Sequence, residues 1–79
     1  MFNVTLKENN KNLYIQKNRH EKLYFESSPG VYKKNQILEL ITAKKKNPPL
    51  KVTGVGSVFS REDDARGDIQ YVYVEFVKE

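Results

Sequence analysis

Three short segments in the first 27 residues alternate apolar and polar side chains, and this period of two constrains the fold most. They are FNVTLK at 2–7, LYIQK at 13–17 and KLYFES at 22–27, separated by the polar stretches ENNKN and NRHE. Alternation places every second side chain on the same face of a strand. The segments therefore predict a three-stranded antiparallel meander with one apolar face.

A different period follows and predicts a helix. Ile37, Leu38 and Ile41 recur at helical spacing and would form an apolar stripe. The stretch KKKNPP at 44–49 is typical of a helix end, because cations are favoured beside the last carbonyl groups and proline cannot continue a helix. We therefore predict a helix over about residues 34–46, packed on one face of the sheet.

The last third of the chain predicts a long hairpin. LKVTGVGSVFS at 50–60 and IQYVYVEFV at 69–77 have the composition of strands, and the charged REDDARGD between them would form the loop. If Tyr73 lies opposite Gly56, its aromatic ring would cover the backbone of this glycine, which has no side chain. The element order is then β-β-β-α-β-β, an α+β fold in a single domain over residues 1–79.

The composition argues against catalysis. The chain has no cysteine, so it offers no thiolate nucleophile or thiolate zinc ligand. His20 is the only histidine, and its polar turn provides no partner to orient a general base. GVGSV lacks the lysine and the following helix of a phosphate-binding loop. We therefore predict a protein that is not an enzyme and uses neither a cofactor nor a metal.

The charge distribution is asymmetric. The net charge is +4, with +7 on residues 1–51 and −3 on residues 52–79. The basic part favours an anionic partner. No apolar run follows a basic start, and none approaches the ~20 residues that span a bilayer, so we predict a cytoplasmic protein without a membrane partner. Residue types with A/T-rich codons number 32, against 12 with G/C-rich codons, which indicates a low-GC bacterium or one of its phages.

The tyrosines of the meander fall in the phase opposite to the core residues Leu13 and Phe25. Bases stack on aromatic rings and lysines neutralise phosphates, so tyrosines among lysines suit nucleic acid. Tyrosine is also common in strands for packing reasons, and its hydroxyl tolerates water. We predict a DNA or RNA interface for a small accessory or regulatory protein. Its residues would be Lys7, Tyr14, Gln16, Lys17, Arg19, Lys22, Tyr24, Lys33, Lys34, Lys44, Lys45 and Lys46.

The acidic loop and the last strand support an alternative. Aromatic residues concentrate binding energy at protein interfaces, so this end of the chain could contact a protein. The protein would then be a phage-type inhibitor or modulator of a host protein, such as a nucleic-acid-handling or defence protein. Its contact residues would be Arg61, Glu62, Asp63, Asp64, Tyr71 and Tyr73. The acidic loop lacks the residue spacing of a calcium-binding loop. A small core also favours a homodimer that forms through exposed strand edges.

Overall fold

The computed structural model describes residues 2–41, 48–60 and 67–77, and these residues form seven strands. The strands are β1 (Phe2–Leu6), β2 (Asn12–Lys17), β3 (Leu23–Ser27), β4 (Ile37–Leu38), β5 (Leu40–Ile41), β6 (Leu50–Ser60) and β7 (Asp68–Phe76). They form one antiparallel sheet in the order β4-β6-β7-β3-β2-β1-β5. Because β4 and β5 are consecutive in the chain, the two ends of the sheet meet, and the sheet forms a nearly closed barrel.

The predicted α+β class is wrong, because the described residues contain strands and no helix. The segment ILELI fits a period of two as well as a helical stripe. Leu38 and Leu40 turn toward the core, whereas Ile37 and Ile41 are 50% and 45% exposed. Short apolar runs do not distinguish the two periods, and β-branched isoleucine favours a strand. The rest of the predicted helix, residues 42–46, lies outside the described residues.

The segment at 37–41 closes the barrel instead of covering a sheet face. β4 pairs with the start of β6, where Leu38 lies opposite Leu50. β5 pairs with the end of β1, where Leu40 lies opposite Leu6. One short segment therefore joins the N-terminal meander to the C-terminal hairpin.

No helix long and apolar enough to cross a membrane is found among the described residues.

The core lies inside the barrel and is apolar. Its largest fully buried side chains are Phe25, Ile15, Leu50, Val52 and Val72. The ring of Phe25 meets that of Tyr32 edge to face, with the centroids 5.0 Å apart. The predicted meander strands and hairpin strands are confirmed to within one residue at each end.

The register of the hairpin differs from the prediction because β6 is bulged. Tyr73 lies opposite Gly54, not Gly56, and the register shifts between Val52 and Gly54 and again between Val55 and Val58. A bulge inserts an extra residue, which a prediction from alternation does not contain. The ring of Tyr73 still covers Gly56, since its Cε2 atom is 3.6 Å from the place where a Cβ on Gly56 would stand.

Candidate functional site

Four aromatic rings meet on the outer side of the barrel, where β3, β7 and β6 lie side by side. The ring centroid of Tyr71 is 5.1 Å from that of Tyr24 and 5.0 Å from that of Phe59. The centroids of Tyr24 and Tyr73 are 6.1 Å apart. All four side chains are half-buried, so each packs against its neighbours and keeps part of its surface in solvent. We call Tyr24, Phe59, Tyr71 and Tyr73 the aromatic patch.

Strand pairing explains why the patch forms. Tyr24 of β3 lies directly opposite Tyr73 of β7, and cross-strand partners share a face of the sheet. The adjacent residues Phe25 and Val72 also lie opposite each other, and both are buried in the core. Since side chains alternate along a strand, burial of Phe25 and Val72 turns the two tyrosines outward.

The outer face continues from the aromatic patch onto β2. Gln16 lies opposite Tyr24 in the β2–β3 pairing. Tyr14, two residues earlier, is 53% exposed, while Leu13 and Ile15 on either side of it are buried. β2 thus adds the solvent-exposed phenol ring of Tyr14 and the side-chain amide of Gln16 to the outer face.

A groove opens between β2 and β3 beside the patch. In the described part of the chain these two strands pair at two positions only. Beyond that pairing a groove of about 350 Å³ is lined by residues that include Lys11, Tyr14, Glu26 and Asp68. Two carboxylates and one ammonium group give this part of the face a mixed charge with an acidic excess.

The β2–β3 turn, at the opposite end of this strand pair, carries three cations and the carboxylate of Glu21. Lys17 ends β2, Lys22 immediately precedes β3, and Arg19 lies in the turn between them; all three are exposed. Asn18 orders this turn, because its side-chain Oδ1 accepts hydrogen bonds from the backbone N–H groups of His20 (2.9 Å) and Lys22 (3.0 Å). The turn lies at the end of the face nearest Tyr24 and Gln16, where Lys22 has the same strand phase as Tyr24 and Lys17 has the phase of Ile15.

The remaining described cations of the predicted nucleic-acid interface lie elsewhere. Lys7 follows β1, and its Nζ atom is 4.0 Å from a carboxylate oxygen of Glu39, with both side chains well exposed. Lys33 and Lys34 lie in the loop before β4, and the adjacent Asn35 donates its backbone N–H to the carbonyl of Val52 in β6. These three lysines thus sit beside the segment that closes the barrel, and the structure does not gather them with the β2–β3 turn.

Other predicted site residues lie outside the described residues. They are Lys44, Lys45 and Lys46 of the nucleic-acid set, and Arg61, Glu62, Asp63 and Asp64 of the protein-contact set.

The structure joins two sites that the sequence analysis treats as separate. Tyr24 belongs to the predicted nucleic-acid interface and Tyr71 and Tyr73 to the alternative protein contact, yet all three rings form one patch. Phe59 is a member that the sequence analysis missed. The predicted register puts Phe59 opposite Gln70 on the core face, whereas it lies opposite Ile69 on the outer face. A one-residue change of register moves a side chain to the other face.

The chemistry available on this face is recognition by stacking, hydrogen bonding and charge. Among the described residues no three His, Cys, Asp or Glu side chains converge on a metal position. For the titratable groups that the structure describes, the one clear pKa shift is inside the barrel, where burial raises the pKa of the Tyr32 phenol and the Glu8 carboxylate adds to the rise. Comparisons with protein-family models, with curated proteins and with solved structures find no match to this chain.

Proposed function

We propose that this protein binds single-stranded DNA or RNA on the outer face of β2, β3 and β7, as a non-catalytic accessory or regulatory protein in the cytoplasm of a low-GC bacterium or a phage-infected cell. The supporting observation is that Tyr24 of the aromatic patch lies next to the cationic β2–β3 turn, with the exposed ring of Tyr14 further along the same face. Stacking of one base on an aromatic side chain contributes about 1–3 kcal/mol, and cationic side chains add salt-dependent affinity for phosphates.

The distribution of charge along the face orients the bound single-stranded nucleic acid. Lys17, Arg19 and Lys22 attract phosphates at one end, and Glu26 and Asp68 repel them at the other. Bases reach Tyr14 and the aromatic patch from a backbone held at the turn. Stacking on a protein ring requires an unpaired base, so single strands are preferred over duplexes.

A salt titration with matched charge variants tests this proposal. Fluorescence anisotropy would measure the affinity for single-stranded oligonucleotides and for duplexes over a range of salt concentrations. The slope of log affinity against log salt is about −0.7 for each phosphate contact on a single strand. The double variant Lys17→Gln, Lys22→Gln should flatten the slope by about 1.4 units relative to the unsubstituted protein.

Two control variants separate charge from stacking. The double variant Lys33→Gln, Lys34→Gln removes the same charge away from the face and should leave the slope nearly unchanged. Tyr14→Ala should lower the affinity about tenfold at every salt concentration without changing the slope, because it removes one stacking platform. Absence of binding, or an affinity that does not depend on salt, would overturn the proposal.

A second candidate function is contact with a host protein, as a phage-type inhibitor or modulator would make. The observation that favours it is that the rings of the patch pack edge to face and are half-buried, as anchors at a protein interface often are. Glu26 and Asp68 would add complementarity to a basic partner surface. Recovery of one stoichiometric host protein that survives nuclease treatment and is lost in Tyr71→Ala would favour this function over the first.

A further inference from the structure

The barrel wall opens between β2 and β3. In the described part of the chain these strands pair only at Gln16 and Lys17 of β2, with Tyr24 and Leu23 of β3. Two residues before Gln16, Tyr14 is still paired with β1, and β3 is paired with β7 over its whole length. The two strands therefore diverge, and each stays attached to its other neighbour.

The backbone N–H and C=O of Tyr14 point into this opening. In an antiparallel sheet both groups of one residue point to the same neighbouring strand, and the direction alternates from residue to residue. Asn18 donates its N–H to the carbonyl of Lys22 at 3.0 Å across the β2–β3 turn, so even-numbered residues of β2 point toward β3. On the other edge, Leu6 donates to the carbonyl of Lys11 at 2.8 Å, so odd-numbered residues point toward β1. Tyr14 thus directs a donor and an acceptor to a place where, among the described residues, β3 does not pair with β2.

The opening is the groove of about 350 Å³ described above. It reaches from the outer face into the wall, because its lining includes the exposed Tyr14 as well as the buried Leu13 and Ile69. Polar groups complete the lining, among them the Lys11 ammonium and the Asp68 carboxylate. Small-molecule sites in proteins combine apolar side chains with a few polar groups that fix the orientation of the ligand, and the groove has both.

The charges of the groove select the part of a nucleotide that can enter. Glu26 and Asp68 both line it, and their carboxylates repel a phosphate group. A base is flat and neutral, so it can enter without this repulsion. The Asp68 Oδ1 atom accepts a hydrogen bond from the Ser60 hydroxyl at 2.6 Å, which orients the carboxylate. Each carboxylate oxygen has two lone pairs, so both oxygens of Asp68 can accept further hydrogen bonds.

Guanine is the base whose edge matches these groups. Its N1–H and N2–H groups are neighbouring donors, so they can pair with both oxygens of one carboxylate. The adjacent O6 atom is an acceptor, for which the Tyr14 N–H and the Lys11 ammonium are donors. Adenine and cytosine each place a ring-nitrogen acceptor where guanine has N1–H, and thymine or uracil offers a single N–H between two acceptors. A carboxylate faces an acceptor in each of these bases, which leaves it without a second hydrogen bond.

We propose that the groove between β2 and β3 is a guanine-binding pocket. The Asp68 carboxylate accepts the N1–H and N2–H of the base, and the backbone N–H of Tyr14 donates to O6. This inference rests on the proposed function, because it assigns one base of the bound single strand to a place beside the aromatic patch. Asp68 is then the residue that determines base preference, whereas the cations of the β2–β3 turn contribute affinity for any sequence.

Oligonucleotides that differ in one base test the pocket. Fluorescence anisotropy would compare a short oligothymidylate with the same strand carrying one dG, dA or dC at its centre. The strand with dG should bind about tenfold more tightly than the others, which is the discrimination typical of a bidentate contact to a base. Asp68→Asn keeps an oxygen acceptor for Ser60 but replaces one carboxylate oxygen by a donor, so the preference should fall to within about twofold.

A control variant and a second measurement isolate the effect of the pocket. Glu39→Gln removes the same charge from an exposed position on the segment that closes the barrel, and it should keep the full preference for dG. The readout is a ratio of affinities, so an overall change of charge does not move it. Amide NMR on the unsubstituted protein should show a larger shift of the Tyr14 N–H signal with the dG strand than with the dA strand. This result does not depend on whether Asp68→Asn folds.

The outcomes separate this proposal from the proposed function. Equal binding of all four strands, or a preference for dG that Asp68→Asn retains, would overturn the guanine pocket and leave the proposed function standing. Failure of every strand to bind would overturn both. The competing occupant is an arginine side chain of a partner protein, because a guanidinium group presents a similar pair of N–H donors. A shift of the Tyr14 signal with an arginine-containing peptide and none with the dG strand would overturn the proposal in favour of a protein partner.

Discussion

The rings of Tyr24 and Tyr71 meet edge to face across β3 and β7, with centroids 5.1 Å apart and planes inclined at 61°. Aromatic pairs of this geometry contribute about 0.5–1.5 kcal/mol beyond the area that they bury. The contact therefore makes the aromatic patch a stable part of the barrel wall as well as a candidate binding surface.

This geometry predicts an energetic coupling between the two tyrosines. In a double-mutant cycle with Tyr24→Ala and Tyr71→Ala, the free energies of unfolding should be non-additive by about 1 kcal/mol. Urea unfolding of the four proteins would measure the coupling. The matched cycle of Tyr14→Ala with Tyr71→Ala should add to within about 0.5 kcal/mol, since Tyr14 lies on β2 and is largely exposed. Equal coupling in the two cycles would contradict the described ring contacts.

A second prediction concerns the bridge that Gln70 makes between Gly30 and Gly56. Gln70→Glu keeps an acceptor for the N–H of Gly30, but it removes the donor to the Gly56 carbonyl and places a carboxylate oxygen against it. Loss of this bond should lower the free energy of unfolding by about 1–3 kcal/mol. Gln16→Glu, the same exchange at a half-buried site on β2, should cost no more than about 0.5 kcal/mol. Chemical denaturation would compare the two variants, and equal effects would argue against the bridge.

A third prediction concerns Gly30, whose backbone has a φ of 78°. A side chain in this left-handed region is strained even where space is free, so Gly30→Ala should lower the free energy of unfolding by about 1 kcal/mol. Gly54 is the matched control, because its φ is not positive and a Cβ there would meet no atom within 4 Å. Gly54→Ala should be neutral or slightly stabilising. Melting temperatures of the two variants would test this, and the reverse order would show that the loop has another conformation.

A fourth prediction concerns alkaline pH. Burial, aided by the Glu8 carboxylate, raises the pKa of Tyr32 above its ordinary value of 10.0. In the unfolded chain the phenol ionises at its ordinary pKa, so between the two pKa values the folded state binds more protons. The contribution of Tyr32 to stability is therefore fully present below pH 10 and is lost as the pH rises through the raised pKa.

Tyr32→Phe removes this contribution. Its free energy of unfolding should fall less steeply than that of the unsubstituted protein as the pH rises above 10. Tyr14→Phe, at an exposed position, should show the same decline as the unsubstituted protein. Urea unfolding on either side of pH 10 would measure these differences. If the decline in Tyr32→Phe matches that of the unsubstituted protein, the buried phenol is not its cause.

The strands of the meander could be predicted from sequence because their signal is local. Leu13 and Phe25 alternate with Tyr14 and Tyr24, and the structure buries the first pair and turns the second outward. Closure of the barrel could not be predicted in this way. Leu40 pairs with Leu6 across 34 positions of sequence, and the segment that contains it fits a helical period equally well.

The candidate site was predictable in part for the same reason. Alternation within a strand identifies Tyr24, Tyr71 and Tyr73 as outward-facing. It cannot show that the three rings meet, because β3 and β7 are distant in sequence and adjacent in space. The predicted register turns Phe59 toward the core, because alternation alone does not reveal the bulges that shift β6 against β7.

The short segment that closes the barrel, residues 37–41, determines where local unfolding begins. β4 and β5 each hold their neighbours through two residue pairs, whereas β3 and β7 are joined through five. Local unfolding begins where the fewest bonds must break. The amides of residues 37–41 should therefore exchange faster than those of β3 and β7. In this local opening, the meander and the hairpin separate at β4 and β5 while the β3–β7 pairing stays intact.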